Sequence, residues 1–166
     1  MEVLLFALQR WGEPRVTQDV DITLFTGFDS EEEFIDTLLS EFSARIAEPH
    51  TFALQYRVLL LKSDSNIDAD IALGGLPFEE QMITRASEFD FLPEVTLLTC
   101  SAEDLVVLKA FADRPRDWVD IESVLVRQKG FLNWDYIDST LSPLVAVKEA
   151  PHILAKLAAV RTRSET

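Results

Sequence analysis

The chain has 166 residues, a formal net charge of −14 and a hydrophobic fraction of 48%. This length suits one domain, or one small domain with a helical appendage, and the apolar fraction excludes a disordered protein. The acidic surface disfavours nucleic acid as a general partner, because it would repel phosphates. The apolar runs are too short to span a bilayer and the first residues lack a basic leader, so we expect a cytoplasmic protein that does not enter a membrane.

Strand and helix signals alternate in the first hundred residues. Ser30 and Glu33 have the spacing of a capping box, which predicts the start of a helix. The turn residues 63–65 separate two apolar runs and predict a hairpin. The predicted elements, in chain order, are strand 3–6, helix 7–11, strand 18–25, helix 31–46, strands 55–62 and 66–73, helix 77–86 and strand 95–99.

Helical signals dominate the rest of the chain. Ser101 and Asp104 predict the cap of a helix over 102–112, a second helix covers 118–129, and the chain from Asn133 onward is helical. Strands therefore concentrate before residue 100 and helices after it, which predicts an α+β fold: a mixed β-sheet with flanking helices and a C-terminal helical bundle. We expect an α/β core over residues 1–100 and a helical part over residues 101–166.

Acidic residues alternate in two of the predicted strands. Asp19 and Asp21 share one strand face because side chains alternate, and Asp68 and Asp70 repeat the spacing in a second apolar segment. Mg²⁺ is usually held by one or two carboxylates plus substrate phosphates, and two ions can clamp both ends of a phosphoryl displacement. The pattern predicts a divalent-metal site. A solvated strand face with alternating acids is the alternative.

A second polar cluster lies where two predicted helices meet. Lys109 occupies an apolar helix, where a lysine needs a partner or a route to solvent. Asp117 and Asp120 are three residues apart and share a helical face. A lysine or an arginine such as Arg116 could bind phosphate, and an acid could orient them. A salt-bridge network that joins the two helices explains the same residues.

Four segments occur in an order and spacing more specific than any single motif. They are Arg15-x-Thr17-x-Asp19-Val20-Asp21-Ile22, Asp68-Ala69-Asp70-Ile71-Ala72-Leu73-Gly74-Gly75-Leu76-Pro77-Phe78-Glu79, Ser101-Ala102-Glu103-Asp104-Leu105-x-x-Leu108-Lys109-Ala110-Phe111 and Arg116-Asp117-Trp118-x-Asp120-Ile121-Glu122. In this arrangement the chain, from about residue 7 to 157, resembles the AbiEii-like nucleotidyltransferases, a family that contains toxins of bacterial toxin–antitoxin systems. The resemblance implies a polymerase-beta-like nucleotidyltransferase core with a helical C-terminal part.

The resemblance also implies roles for individual residues. Two Mg²⁺ ions would be bound by Asp19, Asp21 and Asp70. The implied catalytic residues are Asp70, Lys109, Asp117 and Asp120, with the choice between the last two open. The implied nucleotide-binding residues are Arg15, Thr17, Lys109 and Arg116. The implied substrate is an NTP, the implied acceptor is RNA or protein, and an antitoxin is an implied partner.

The first residues depart from the family pattern. Nucleotidyltransferases of this type carry a Gly-Gly or Gly-Ser pair after the first strand, where backbone N–H groups can cradle phosphates. The corresponding positions here read Leu4-Leu5-Phe6, and a leucine side chain would obstruct a phosphate. The departure allows an alternative to an active enzyme, a non-catalytic module of the same fold that binds a nucleotide or a partner. An incomplete edge strand would also favour a homodimer.

Overall fold

The computed structural model describes residues 2–4, 7–13 and 19–165. These residues form strands and helices in one α+β arrangement, as predicted. The strands are β1 (Glu2–Leu4), β2 (Asp19–Phe25), β3 (Ser43–Ala44), β4 (Val58–Lys62), β5 (Asp68–Gly74), β6 (Ser87–Leu92) and β7 (Val95–Thr99). The helices are α1 (Ala7–Trp11), α2 (Glu31–Glu41), α3 (Pro49–Tyr56), α4 (Pro77–Arg85), α5 (Ala102–Ala112), α6 (Pro115–Arg127), α7 (Trp134–Lys148) and α8 (His152–Glu165).

The chain divides into two compact units. Unit 1 contains the strands β1–β7 with helices α2–α4, and unit 2 contains α1 with helices α5–α8. The main sheet of unit 1 has the strand order β1-β2-β5-β4-β3. Strands β2 and β5 run parallel, whereas β1–β2, β4–β5 and β3–β4 are antiparallel. The sheet is therefore mixed, and the predicted β4–β5 hairpin is confirmed.

One face of the main sheet carries the apolar core of unit 1. The buried members of this core are Leu24, Ile35, Ala53, Leu59, Leu61, Ile71 and Leu73, which come from three strands and from α2 and α3. Because side chains alternate along a strand, the residues between Ala69, Ile71 and Leu73 lie on the opposite face. The core thus fixes which face of the sheet carries the acidic residues of β2 and β5.

The second helix is shorter than predicted. It ends at Glu41, and the next residue, Phe42, has extended backbone angles. Ser43 and Ala44 then pair with β4, and the N–H of Arg45 donates to the carbonyl of Leu60. Sheet pairing thus prevails over the four-residue apolar spacing that predicted a helix to residue 46. The predicted capping box is also wrong, because the Ser30 side chain makes no cap hydrogen bond.

Two elements of unit 1 differ from prediction. Residues 49–56, whose end was predicted as strand, form helix α3 with Pro49 in its first turn, and Arg57 ends the helix with a φ of 54°. Strand β6 was not predicted, and it pairs with β7 in a two-stranded sheet. A proline in the first turn is a recognised helix-start signal, so α3 was readable from the sequence.

Unit 2 is helical, as predicted for the C-terminal part of the chain. The Ser101 hydroxyl accepts a hydrogen bond from the N–H of Asp104 and caps α5, which confirms that signal. Helix α6 begins at Pro115 and not at 118, because a proline fits the first turn of a helix. Side chains buried in this unit include Val106, Val107, Ile121, Ile137, Leu141 and Ile153. Within the described ranges, no helix is both long and apolar enough to cross a membrane.

Candidate functional site

The parallel register of β2 and β5 places acidic positions side by side. Asp19 is opposite Asp68, and Asp21 is opposite Asp70. Neighbouring strands are about 4.8 Å apart, so these backbone positions are direct neighbours. Asp21 is exposed, and the side chains of Asp68 and Asp70 are 34% and 35% exposed. We call Asp21, Asp68 and Asp70 the acid face.

Two basic side chains, Arg45 and Lys62, form ion pairs with the acid face. The Nη1 group of Arg45 donates to Asp68 Oδ2 at 3.0 Å, and its Nη2 group binds Asp70 Oδ1. The Lys62 ammonium lies 3.2 Å from Asp68 Oδ1. Burial by itself would raise the pKa of Asp68, but the hydrogen bonds from Lys62 and Arg45 outweigh it and hold that pKa below its ordinary value. Asp68 is therefore ionised and paired at neutral pH.

The acid face suits a divalent cation in the kind of atoms that it offers. Carboxylate oxygens on adjacent strands are hard ligands of the type that Mg²⁺ prefers. Among the side chains that the structure describes, no group of three or more histidine, cysteine or acidic residues is arranged to hold a metal. One reason is visible at Asp70, whose carboxylate is turned to Arg45. The donor chemistry fits Mg²⁺, while the described side chains are arranged around a guanidinium.

A separate arginine fixes the loops that follow β2 and β5. The Nη2 group of Arg57 donates to the Gly27 carbonyl at 2.9 Å, and Nη1 binds the Glu31 carboxylate. The N–H groups of Thr26 and Gly27 both donate to the Gly74 carbonyl at 3.0 Å. A Cβ on Gly75 would lie 2.9 Å from Arg57 Nη2 and 3.1 Å from the Gly27 carbonyl oxygen, so a side chain here would have to displace the arginine or the loop. The Arg57 carbonyl also accepts the N–H of Leu73 at 2.9 Å, so Arg57 contacts the carboxyl ends of both acid-bearing strands.

Glu31 belongs to this loop structure. Its carboxylate accepts a hydrogen bond from the Glu31 backbone and another from the Arg57 side chain. Both contacts lower the pKa of Glu31. Its residue is 9% exposed. The first acid of α2 therefore serves the fold of unit 1, and it contributes nothing to the acid face.

In unit 2 the structure brings Lys109 together with both predicted acids. Its Nζ lies 2.6 Å from Asp120 Oδ2 and 3.2 Å from Asp117 Oδ1. The three side chains are 16%, 6% and 12% exposed for Lys109, Asp120 and Asp117. We call these residues the lysine triad. Their contact fits the salt-bridge interpretation and is also the arrangement that two acids would need to orient a phosphate-binding lysine.

Of the other predicted nucleotide-binding residues, the structure describes only Arg116. Arg116 is exposed in the first turn of α6, next to the triad residue Asp117. Arg15 and Thr17 lie outside the described residues, as do Leu5 and Phe6 of the segment that replaces the glycine pair. Leu4 pairs through its backbone with Ile22 of β2.

Sequence reasoning missed Arg45 and Arg57. Arg45 precedes its partners by 23 and 25 residues, and no local motif marks it. Arg57 was placed inside a predicted strand, although it ends a helix in the left-handed region. Such contacts depend on which strands become neighbours, which a linear pattern does not state.

Comparison with known families gives the class of the protein. Residues 6–161 match the family described as nucleotidyl transferase AbiEii toxin, type IV TA system, where TA denotes toxin–antitoxin. The match spans nearly the whole chain, so the chain belongs to this family. Family membership supports nucleotidyl transfer as its general activity.

Among solved structures, the chain is similar to an antigenic nucleotidyltransferase-like protein from Paracoccidioides brasiliensis. The two share 14% sequence identity with a TM-score of 0.48, and the alignment covers 96% of this chain and 84% of that chain. No curated protein matches the chain.

Proposed function

We propose that this chain is a Mg²⁺-dependent enzyme that transfers a nucleotide from an NTP to an acceptor hydroxyl. The single observation that carries the proposal is the parallel register that sets Asp21 beside Asp70 on the polar face of the sheet. Neither residue is buried, so a ligand can reach both. Family membership supplies the reaction class, and the register supports where the metal ligands lie.

The proposed reaction forms a bond between the acceptor oxygen and the α-phosphorus and breaks the bond to pyrophosphate. Asp19, Asp21 and Asp70 would hold two Mg²⁺ ions, which would neutralise charge on the phosphates. Asp70 would lie nearest the attacking hydroxyl and promote loss of its proton.

Phosphate recognition falls to basic residues in this proposal. Lys109 would stabilise charge on the phosphates, and Asp117 or Asp120 would orient it. The contact of both acids with Lys109 Nζ supports a joint role. The further proposed nucleotide-binding residues are Arg15, Thr17 and Arg116.

The proposed acceptor and partners are suggested by the family description. A toxin of a toxin–antitoxin system acts on a cellular target, which we propose to be RNA or protein, and an antitoxin would control it. The net charge of −14 requires an RNA acceptor to bind at a local basic patch, and the best candidates for one are Lys109, Arg114, Arg116 and Arg127. A homodimer through the edge strand β1 is proposed as well.

A non-catalytic module of the same fold is the second candidate. The observation that favours it is Leu4-Leu5-Phe6 in place of a glycine pair. Such a module would bind a nucleotide or a partner without transferring anything.

The first test is thermal melting with each NTP, with and without Mg²⁺. A ligand that binds only the folded state raises the melting temperature. We expect one NTP to raise it in a Mg²⁺-dependent way in the wild type, and the double variant Asp19→Asn/Asp21→Asn to lose the rise. Asp64→Asn, which makes one such Asp→Asn change in the exposed β4–β5 turn, should keep it.

Transfer itself is followed with an α-labelled NTP and RNA or protein acceptors. Label on the acceptor from the wild type, absent from Asp21→Asn, supports the enzyme. Label that persists in Asp21→Asn contradicts the metal assignment. A melting shift without transfer to any acceptor favours the binding module.

A further inference from the structure

One residue row crosses the main sheet of unit 1 and ends at an arginine. Asp21 pairs with Asp70, Asp70 pairs with Leu60, and the carbonyl of Leu60 accepts the N–H of Arg45 at 3.0 Å. Arg45 is therefore held by the sheet itself at the same level as Asp21 and Asp70. Its guanidinium reaches back along this row to Asp70 and Asp68.

We propose that Arg45 is a resident countercharge that a divalent cation must displace from Asp70 before it can bind the acid face. This inference rests on the proposed metal site. The guanidinium takes Asp70 Oδ1, one of the two oxygens of this carboxylate, and its positive charge repels a dication at the same carboxylate. Metal binding and the Arg45–Asp70 ion pair then compete for the Asp70 carboxylate.

The local contacts allow the exchange. Asp70 is 35% exposed, so a hydrated cation can approach it. The Nε group of Arg45 is buried and has no hydrogen-bond partner among the described residues, which weakens the paired arrangement because an unpaired buried donor is costly. Asp68 is also paired with Lys62, so its charge stays compensated if Arg45 moves.

The arginine does not need to leave the acid face. After release from Asp70 it can keep its 3.0 Å contact with Asp68 Oδ2, while Asp70 turns to the cation. The exchange changes one ion pair and leaves the strand register as it is. Arg45 would act as a positioning residue that sets the concentration of metal at which the acid face becomes occupied.

The test is the affinity of the full chain for Mn²⁺, measured by calorimetry without nucleotide. The variants are Arg45→Gln, Lys62→Gln and Asp70→Asn. Removal of a partly exposed ion pair should tighten Mn²⁺ binding about fivefold in Arg45→Gln. Lys62→Gln is the matched control, since it removes one positive charge beside Asp68 without freeing Asp70, and it should change the affinity by less than about twofold. Asp70→Asn should weaken binding.

The outcomes separate this inference from the proposed function. Tighter Mn²⁺ binding by Arg45→Gln, without tighter binding by Lys62→Gln, supports the countercharge. Mn²⁺ binding by Arg45→Gln when the wild type binds none supports it as well. Mn²⁺ binding by Arg45→Gln that is equal to or weaker than that of the wild type overturns the countercharge inference. If Asp70→Asn also loses affinity, the proposed metal site is still supported. If neither the wild type nor Arg45→Gln binds Mn²⁺, the metal assignment and this inference both fail. Melting in metal-free buffer confirms that each variant is folded.

Discussion

The acid face of unit 1 and the lysine triad of unit 2 contain the same kinds of charge in different surroundings. Side chains of the acid face are about one third exposed or more, whereas those of the triad are between 6% and 16% exposed. In the acid face two cations share the carboxylates Asp68 and Asp70. In the triad one ammonium faces two carboxylates.

This difference separates a contact that can be exchanged from one that the fold requires. An exposed ion pair contributes little to stability, because water replaces the lost partner. A buried pair is hard to break, since the remaining charge has no water around it. The acid face can therefore give up a partner to a ligand at small cost, while the triad cannot lose its lysine without a large loss of stability.

The largest predicted effect is that of Lys109→Met. The substitution keeps the length and apolar stem of the side chain but removes the ammonium that pairs with the buried carboxylates of Asp117 and Asp120. We expect the free energy of unfolding to fall by about 3–5 kcal/mol, as for other broken buried pairs. Urea denaturation at neutral pH measures it.

The control for this prediction is Lys62→Met, which removes a lysine that is 39% exposed from the acid face. Its loss should be below about 1 kcal/mol. Equal losses in the two variants would mean that burial does not separate the two clusters, and the comparison would be wrong.

Much of each cluster was readable in the sequence. Alternation predicted that positions 68 and 70 share a strand face, and the spacing of Asp117 and Asp120 predicted that both could meet Lys109. These predictions depend on one strand or on two adjacent helices, so local periodicity is sufficient. The metal-binding and catalytic roles of these residues stay predictions.

The parts that the sequence did not show depend on long-range pairing. Strand β3 has only two residues, and it exists because β4 offers free hydrogen-bonding groups beside it. The contact of Arg45 with Asp70 follows from that pairing and has no local signal. Strand β6 needs β7 as a partner in the same way. Tertiary neighbours here prevail over local propensity.

We expect an intermediate effect on stability at Asp113, the residue that ends α5. Its side chain is 21% exposed, between the exposures of the lysine triad and the acid face. Hydrogen bonds from His152 and then Trp118 lower its pKa from 3.8 to about 2. Folding therefore favours the ionised form. The stabilisation is fully present above pH 3.8 and is lost as the pH falls towards 2.

Asp113→Asn tests this intermediate case. Asparagine accepts the left-handed backbone of this position, where φ is 57°, so the substitution removes the charge and leaves the turn. We expect a loss of about 1 kcal/mol at neutral pH after allowance for solvent screening. Urea denaturation across the acidic range should show the variant and the wild type converging near pH 2. A constant difference at every pH would contradict the assignment to the Asp113 charge.

The smallest expected effect is that of Asp70→Asn in the acid face, and the same substitution at Asp120 of the triad provides the comparison. Asp70→Asn removes one carboxylate partner of Arg45, but Arg45 still pairs with Asp68. We therefore expect the free energy of unfolding to change by less than about 1 kcal/mol. Asp120→Asn removes the nearer partner of a buried ammonium and should cost about 1–3 kcal/mol. Denaturation of both variants in metal-free buffer measures the difference. A larger loss at Asp70 than at Asp120 would mean that the acid face is part of the structural framework of unit 1, and a site so tightly held could not exchange Arg45 for a metal ion.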